Sequence, residues 1–217
     1  MSPREKLGIQ IVKFDPHSGV HHQIVSQLIE AHRKDIQQNI LGKGPTGETA
    51  RQAQTVMRQY DKKMDRLTES LRDRTAVAHI AYRSGTNELN HPVSVPVGFI
   101  FSHTEVSRPL EEHLDELQEH FPELAGLDRQ QLTQRVLFGE HGYVVPEFQK
   151  KRVGADLILQ HEEDALKATK GYTHRMISLW GPEAHLEELL KKRGYQRLAV
   201  RDSGAVIMAK KLVPTAT

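Results

Sequence analysis

The stretch VVPEFQKKRVGADLI, residues 144–158, sets three consecutive cations, Lys150, Lys151 and Arg152, between two different patterns. Before them an apolar pair, Val144 and Val145, runs into Pro146. After them come Gly154, Ala155 and an amphipathic run beginning with Leu157 and Ile158. The first pattern reads as the end of a strand and the second as the start of a helix. A helix N-terminus exposes unpaired backbone N–H groups and carries partial positive charge. It therefore suits an anion, phosphate above all. Cations beside it raise the local potential, and small residues let a ligand approach the backbone. The stretch reads as a phosphate cradle at a strand-to-helix turn. GxxxxGK[ST] does not occur, and the one GxGxxG, GKGPTG at 42–47, follows a helix pattern rather than a strand and lies outside this turn, so the usual nucleotide loops are not supported.

Outward from this turn, "RVLFGEHGYVV" (135–145) is a strand with two internal glycines, the mark of a bulge or a close backbone approach. The helix after the cradle covers 151–168 and is stopped by Gly171. "HRMISLW" (174–180) is a strand, and 181–194 is a helix ended by Gly194. Two closing strands flank "RDSG" (201–204), a tight hairpin. Upstream, "LGIQIVKF" (7–14) alternates as a strand does, and Ser18 is placed to cap a helix over 20–33. "LGKGPTG" (41–47) is a break. Ala53, Met57, Tyr60, Met64, Leu67 and Leu71 then form one buried stripe of a helix over 49–71. Strands over 75–82 and 94–103 pair as a hairpin around a long loop rich in turn formers. Leu110, Leu114, Leu117 and Phe121 predict a further amphipathic helix. Its segment, 104–128, holds eight carboxylates and one arginine, and the acids are assigned to a solvated outer face. The order predicts one α/β domain around a mixed sheet over residues 1–212, with a loose tail at 213–217.

The cradle resembles the acetyl-coenzyme A site of the GNAT superfamily, the general-control-type N-acetyltransferases. That family's pattern is Gln/Arg-x-x-Gly-x-Gly/Ala, here Gln149-Lys150-Lys151-Arg152-Val153-Gly154, with Pro146, Glu147 and Phe148 before it. "ELLKKRGYQRLAV" (188–200) is similar to the family's last helix and closing strand, and the element order agrees along most of the chain. The fold implied is α/β, a single GNAT-like domain with a mixed central β-sheet flanked by helices. An extra acidic helix is inserted between the third and fourth strands. Two positions depart from the family: Arg152 stands where its first glycine is usual, and Leu190 where a tyrosine acid is often found.

The resemblance implies an acetyl-CoA-dependent N-acetyltransferase acting directly on a primary amine of a small molecule or peptide. Acetyl-CoA is the acyl donor. Its pantetheine arm pairs with backbone around Tyr143, Val144 and Val145. Its pyrophosphate takes N–H groups from Lys151, Arg152, Val153, Gly154 and Ala155. Gln149 belongs to the same turn, and Lys150 and Lys151 also offer their side chains to phosphate. A lysine-type amine has a reference pKa near 10.4, so about one molecule in a thousand is neutral at neutral pH, and a base must accept a proton. Glu140, nine residues before Gln149, is the implied base. His141 next to it points to the opposite face by strand alternation. Tyr143 is a candidate acid or lining residue. The acceptor is implied to contact the first two helices and the loop between them.

A non-catalytic acyl-CoA-binding module is the alternative that the two departures keep open. The net charge of +2 is too small to argue for nucleic acid, and few aromatics interleave with the basic residues. The absence of cysteine excludes thiolate zinc sites and a cysteine nucleophile, and the scattered histidines imply no metal. No membrane span or secretory signal is apparent, which fits a cytoplasmic protein. A homodimer is compatible with the sequence.

Overall fold

The structure is a computed structural model and describes residues 7–41, 47–73, 76–103, 108–168, 171–179, 184–201 and 205–213. The expected turn at 202–204, the chain end at 214–217 and most of the break at 41–47 lie outside the described residues. The elements are β1 (Ile9–Lys13), α1 (Gly19–Leu41), α2 (Gly47–Arg72), β2 (Ala76–Thr86), β3 (Pro92–His103), α3 (Arg108–Glu111) and α4 (Leu114–His120). They continue with α5 (Arg129–Arg135), β4 (Val136–Val144), α6 (Val153–Lys167), β5 (His174–Leu179), α7 (Ala184–Lys191), β6 (Gln196–Val200) and β7 (Val206–Lys211). Single 3-10 turns occupy Pro122–Leu124 and Pro146–Phe148. The hydrogen-bonded strand order is β1-β2-β3-β4-β5-β7-β6. The sheet is mixed: β4 and β5 run parallel, whereas β1/β2, β5/β7 and β6/β7 are antiparallel. No described helix is long and apolar enough to cross a membrane.

The chain divides into two compact units, and each takes part of β3 and β4. The first comprises the chain up to Ile100 together with Gly142–Leu157. Here Ser18 caps α1, its hydroxyl accepting from His21 N at 3.3 Å. Helices α1 and α2 pack on each other and on β2. The expected stripe of α2 is buried at Tyr60, Met64, Leu67 and Leu71. The same unit also buries Ile24, Leu28 and Ile80. The loop between β2 and β3 is shorter than the sequence predicts, because both strands extend into the run of turn formers. Five residues remain, closed by Asn87 N donating to His91 O at 3.0 Å. The Asn87 side chain accepts from Leu89 N and His91 N, and Asn90 takes a left-handed φ of 61°. These side-chain bonds supply the turn chemistry that a glycine pair otherwise gives.

The second unit comprises Phe101–His141 and the chain from Ile158 onward. Its β4 alternates as a two-sided strand does. Val136 and Phe138 join a core with Leu110, Leu117, Phe121, Leu124 and Leu132, while Leu137 faces Ala165, Tyr172 and Leu212. The acidic segment is not one helix. It breaks at His113 and again at Phe121, which leaves the helical region ahead of Pro122, as the ring of a following proline favours. A third helix that the sequence reading missed, α5, is set by a capping box between Asp128 and Gln131. Several of the acids are paired rather than simply solvated. Glu111 meets Arg129, Glu112 meets Arg201 at 3.4 Å, and Glu123 meets Lys211 at 2.8 Å.

Beneath α6 the same unit buries a charged group. Glu162 accepts from Tyr195 Oη at 2.6 Å and from Lys210 Nζ at 2.7 Å. Arg175 Nη1 lies 3.6 Å from the same carboxylate. Burial, ahead of the neighbouring charges, pushes the Tyr195 phenol far up, so it stays a donor.

Candidate functional site

The last residues of β4 are held against β3 by Val145 N donating to Val97 O at 2.9 Å. Gly98 makes this contact possible: a Cβ there would stand 2.7 Å from Tyr143 O. The 3-10 turn at Pro146–Phe148 then reverses the chain, with Phe148 N bonded to Val145 O and Gln149 N to Pro146 O. The Gln149 side chain reaches back and donates to Val144 O at 3.0 Å. Phe148 is buried and plugs the turn into the core.

The three cations follow in an unusual backbone. Lys150 and Arg152 both adopt left-handed φ, 60° and 67°, on either side of Lys151. Left-handed residues alternating with ordinary ones turn successive N–H groups toward one side, an anion-binding concavity. The arrangement also costs on the order of 1 kcal/mol or more at each non-glycine residue. Arg152 thus keeps a glycine-type conformation at the position where glycine was expected. The first bond of α6 runs from Asp156 N to Arg152 O at 3.0 Å. The N–H groups of Val153, Gly154 and Ala155 precede it and have no intrahelical acceptor. Val153, Ala155 and Leu157 are buried and fix the helix start, whereas the side chains of Lys150, Lys151 and Arg152 are exposed. A Cβ at Gly154 would meet only Val144 Cγ2, at 3.6 Å, so packing within the protein does not require glycine there.

Two of these features extend beyond the sequence reading. Arg83 of β2 sits with its Cζ 5.2 Å from the Phe148 ring centroid, and Lys151 Nζ lies 5.4 Å from the same centroid. Nothing in the local sequence around Arg83 pointed to this turn. Tyr143 stacks on His32 of α1, and Tyr60 Oη lies 3.2 Å from His32 Nδ1 while also donating to Ile29 O at 3.1 Å. Burial, with a smaller effect from Asp35, pushes the Tyr143 phenol up to about 12.

All the cofactor residues expected from the sequence, Val144, Val145 and Gln149 to Ala155, fall in the contiguous piece Gly142–Leu157 of the first unit, and Tyr143 lies among them. Glu140 lies in β4 within the second unit, and its side chain is outside the described residues. His141 places its ring 5.9 Å from that of Phe101. Leu190 is buried, and no phenol stands there.

No family model matches the chain, and no curated protein matches it in sequence. Solved structures do match. The PaiA N-acetyltransferase of Thermoplasma acidophilum, crystallised with coenzyme A, is 16% identical with a TM-score of 0.55, the match covering 94% of this chain and 98% of that one. NAA60 of Arabidopsis thaliana, in complex with a bisubstrate analogue, is 10% identical with a TM-score of 0.56, covering 94% and 99%. An acetyltransferase of Streptococcus agalactiae gives 14% identity and a TM-score of 0.52, covering 94% and 99%. Such low identity speaks to architecture: the chain has the fold of the GNAT-type N-acetyltransferases.

Proposed function

We propose that the chain is an acetyl-CoA-dependent N-acetyltransferase that moves an acetyl group directly onto a primary amine of a small molecule or peptide. One observation carries the reading. The left-handed turn at Lys150–Arg152 joins a strand end to a helix N-terminus, in a fold whose solved representatives include coenzyme A and acetyl-CoA complexes. The residues present fit that ligand. Gly154 leaves open the space that a side chain would fill, and the amides from Lys151 to Ala155 suit a pyrophosphate. Within the first unit Tyr143, Val144 and Val145 form the end of a strand; Val145 N is bonded to Val97 O and Val144 O to the Gln149 side chain, and an extended amide-bearing arm adds by strand pairing to the backbone groups that remain.

In this reading the amine nitrogen forms a bond to the thioester carbonyl carbon and the C–S bond breaks. The proton leaving the amine passes to Glu140, directly or through a water. The thiolate takes a proton in turn. A phenol pushed up to about 12 yields its proton less readily than a thiol of reference pKa about 8.5. Tyr143 is therefore assigned to lining the site, and the thiolate takes the proton that the Glu140 carboxyl, of reference pKa about 4.3, received from the amine. The acceptor amine approaches from the side of α1 and α2. Arg152 in place of glycine and the buried Leu190 favour a second reading, a GNAT-like module that binds an acyl-CoA without turnover.

Calorimetric titration with acetyl-CoA, on the native protein and on Gly154→Val, tests the coenzyme assignment. Micromolar binding that disappears in the variant is expected. A native protein that binds no acetyl-CoA overturns both readings.

A further inference from the structure

Arg83 and Lys151 come from distant parts of the sequence and converge on one buried phenyl ring, Phe148, at 5.2 and 5.4 Å from its centroid. A ring face attracts cations modestly at exposed sites, which draws each side chain toward the turn. It does nothing to neutralise them. Among the described residues none of Arg83, Lys150, Lys151 and Arg152 has a carboxylate partner. The first unit thus concentrates uncompensated positive charge next to amides already suited to a diphosphate.

The charge arrangement selects the missing anion. A diphosphate diester is served by the N–H groups of the turn. The two side chains over Phe148 match a separate phosphomonoester, which carries close to two negative charges at neutral pH and three acceptor oxygens. The Arg83 guanidinium, a planar fork, is the better partner for two of those oxygens. We propose that Arg83 and Lys151 form a phosphomonoester subsite that reads the 3′-phosphate of the coenzyme A ribose. The inference rests on the coenzyme reading above and adds to it a discriminating residue, Arg83, outside the strand-to-helix turn.

The test compares coenzyme A with 3′-dephospho-coenzyme A by calorimetry, on the native protein, on Arg83→Gln and on Lys151→Gln. The native protein is expected to prefer coenzyme A on the order of tenfold, one charge-assisted contact's worth. Arg83→Gln should remove most of that preference and leave the affinity for the dephospho compound unchanged. Lys151→Gln should reduce the preference as well. Equal affinities of the native protein for the two compounds overturn the subsite and leave the coenzyme reading standing. So does an equal loss for both compounds in Arg83→Gln, which would move Arg83 to the diphosphate. Failure of the native protein to bind either compound overturns the coenzyme reading, and the subsite falls with it.

Discussion

The imidazole of His32 lies flat against the phenol ring of Tyr143, their centroids 4.3 Å apart and their planes 23° from parallel. Tyr60 meets the same imidazole edge-on, at 5.2 Å and 85°. A helix residue of α1 is thereby locked to the strand residue that leads into the candidate cradle. Burial, reinforced by the positive charge of Lys63, holds the His32 imidazole down to about 4.

That shift makes stability depend on pH in a definite direction. Between the ordinary histidine value of 6.5 and about 4, the unfolded chain binds a proton at His32 that the folded protein refuses. Stability is full above that window and falls as pH drops through it. Urea midpoints at about pH 7.5 and about pH 5 read the difference. His32→Phe keeps a stacked ring and should flatten this part of the profile. An unchanged profile would place the proton uptake elsewhere.

Arg152→Gly should relieve left-handed strain of about 1 kcal/mol while giving the unfolded chain a comparable gain in freedom, so its net effect on stability is small. Arg152→Val should lose about 1–2 kcal/mol, because a β-branched residue tolerates that region worst. Chemical denaturation of the pair measures the contrast. Equal stabilities for the two would mean that the turn relaxes out of its left-handed form.

Removing the buried carboxylate of Glu162 leaves Arg175 and Lys210 without a counter-charge, and Glu162→Gln is expected to cost about 3–5 kcal/mol. Tyr195→Phe removes only the 2.6 Å hydroxyl bond and should cost about 1–2 kcal/mol. A Glu162→Gln penalty no larger than that of Tyr195→Phe would show that charge balance is not what holds this group together.

For the reaction, Glu140→Gln separates an enzyme from a binding module. A base that accepts the amine proton contributes roughly 10²–10⁴-fold to the rate. The variant should lose that factor in kcat while binding acetyl-CoA as the native protein does. Turnover unaffected by the substitution removes Glu140 from the chemistry. Tight acetyl-CoA binding without turnover by the native protein, across polyamine, aminoglycoside and peptide amines, supports the module.

Much of this was legible in the chain. The stripe from Tyr60 to Leu71 follows from its helical spacing, and Gly194 closes the turn after α7 with a φ of 85°, whereas α6 already ends at Lys167, ahead of Gly171. The cations of the turn are visible as a run of three. Their left-handed geometry is not, because no glycine announces it. The strands β2 and β3 extend past what turn-forming residues suggest, since ladder pairing outweighs local preference. Gly85 fits such a strand, where a Cβ would crowd Val95 at 3.2 Å. Arg83 and His32 escaped notice for another reason. Each lies far along the chain from the turn it serves, and only tertiary packing brings them there.

The turn is pinned to the sheet twice, by Val145 N on Val97 O and by the Gln149 side chain on Val144 O. It is therefore built before any ligand arrives. A loop that must be frozen on binding slows capture and spends part of the interaction on ordering, whereas a preset one spares both. Association with acetyl-CoA should then follow a single fast phase linear in ligand concentration, and differences in affinity among variants of the turn should appear as residence time.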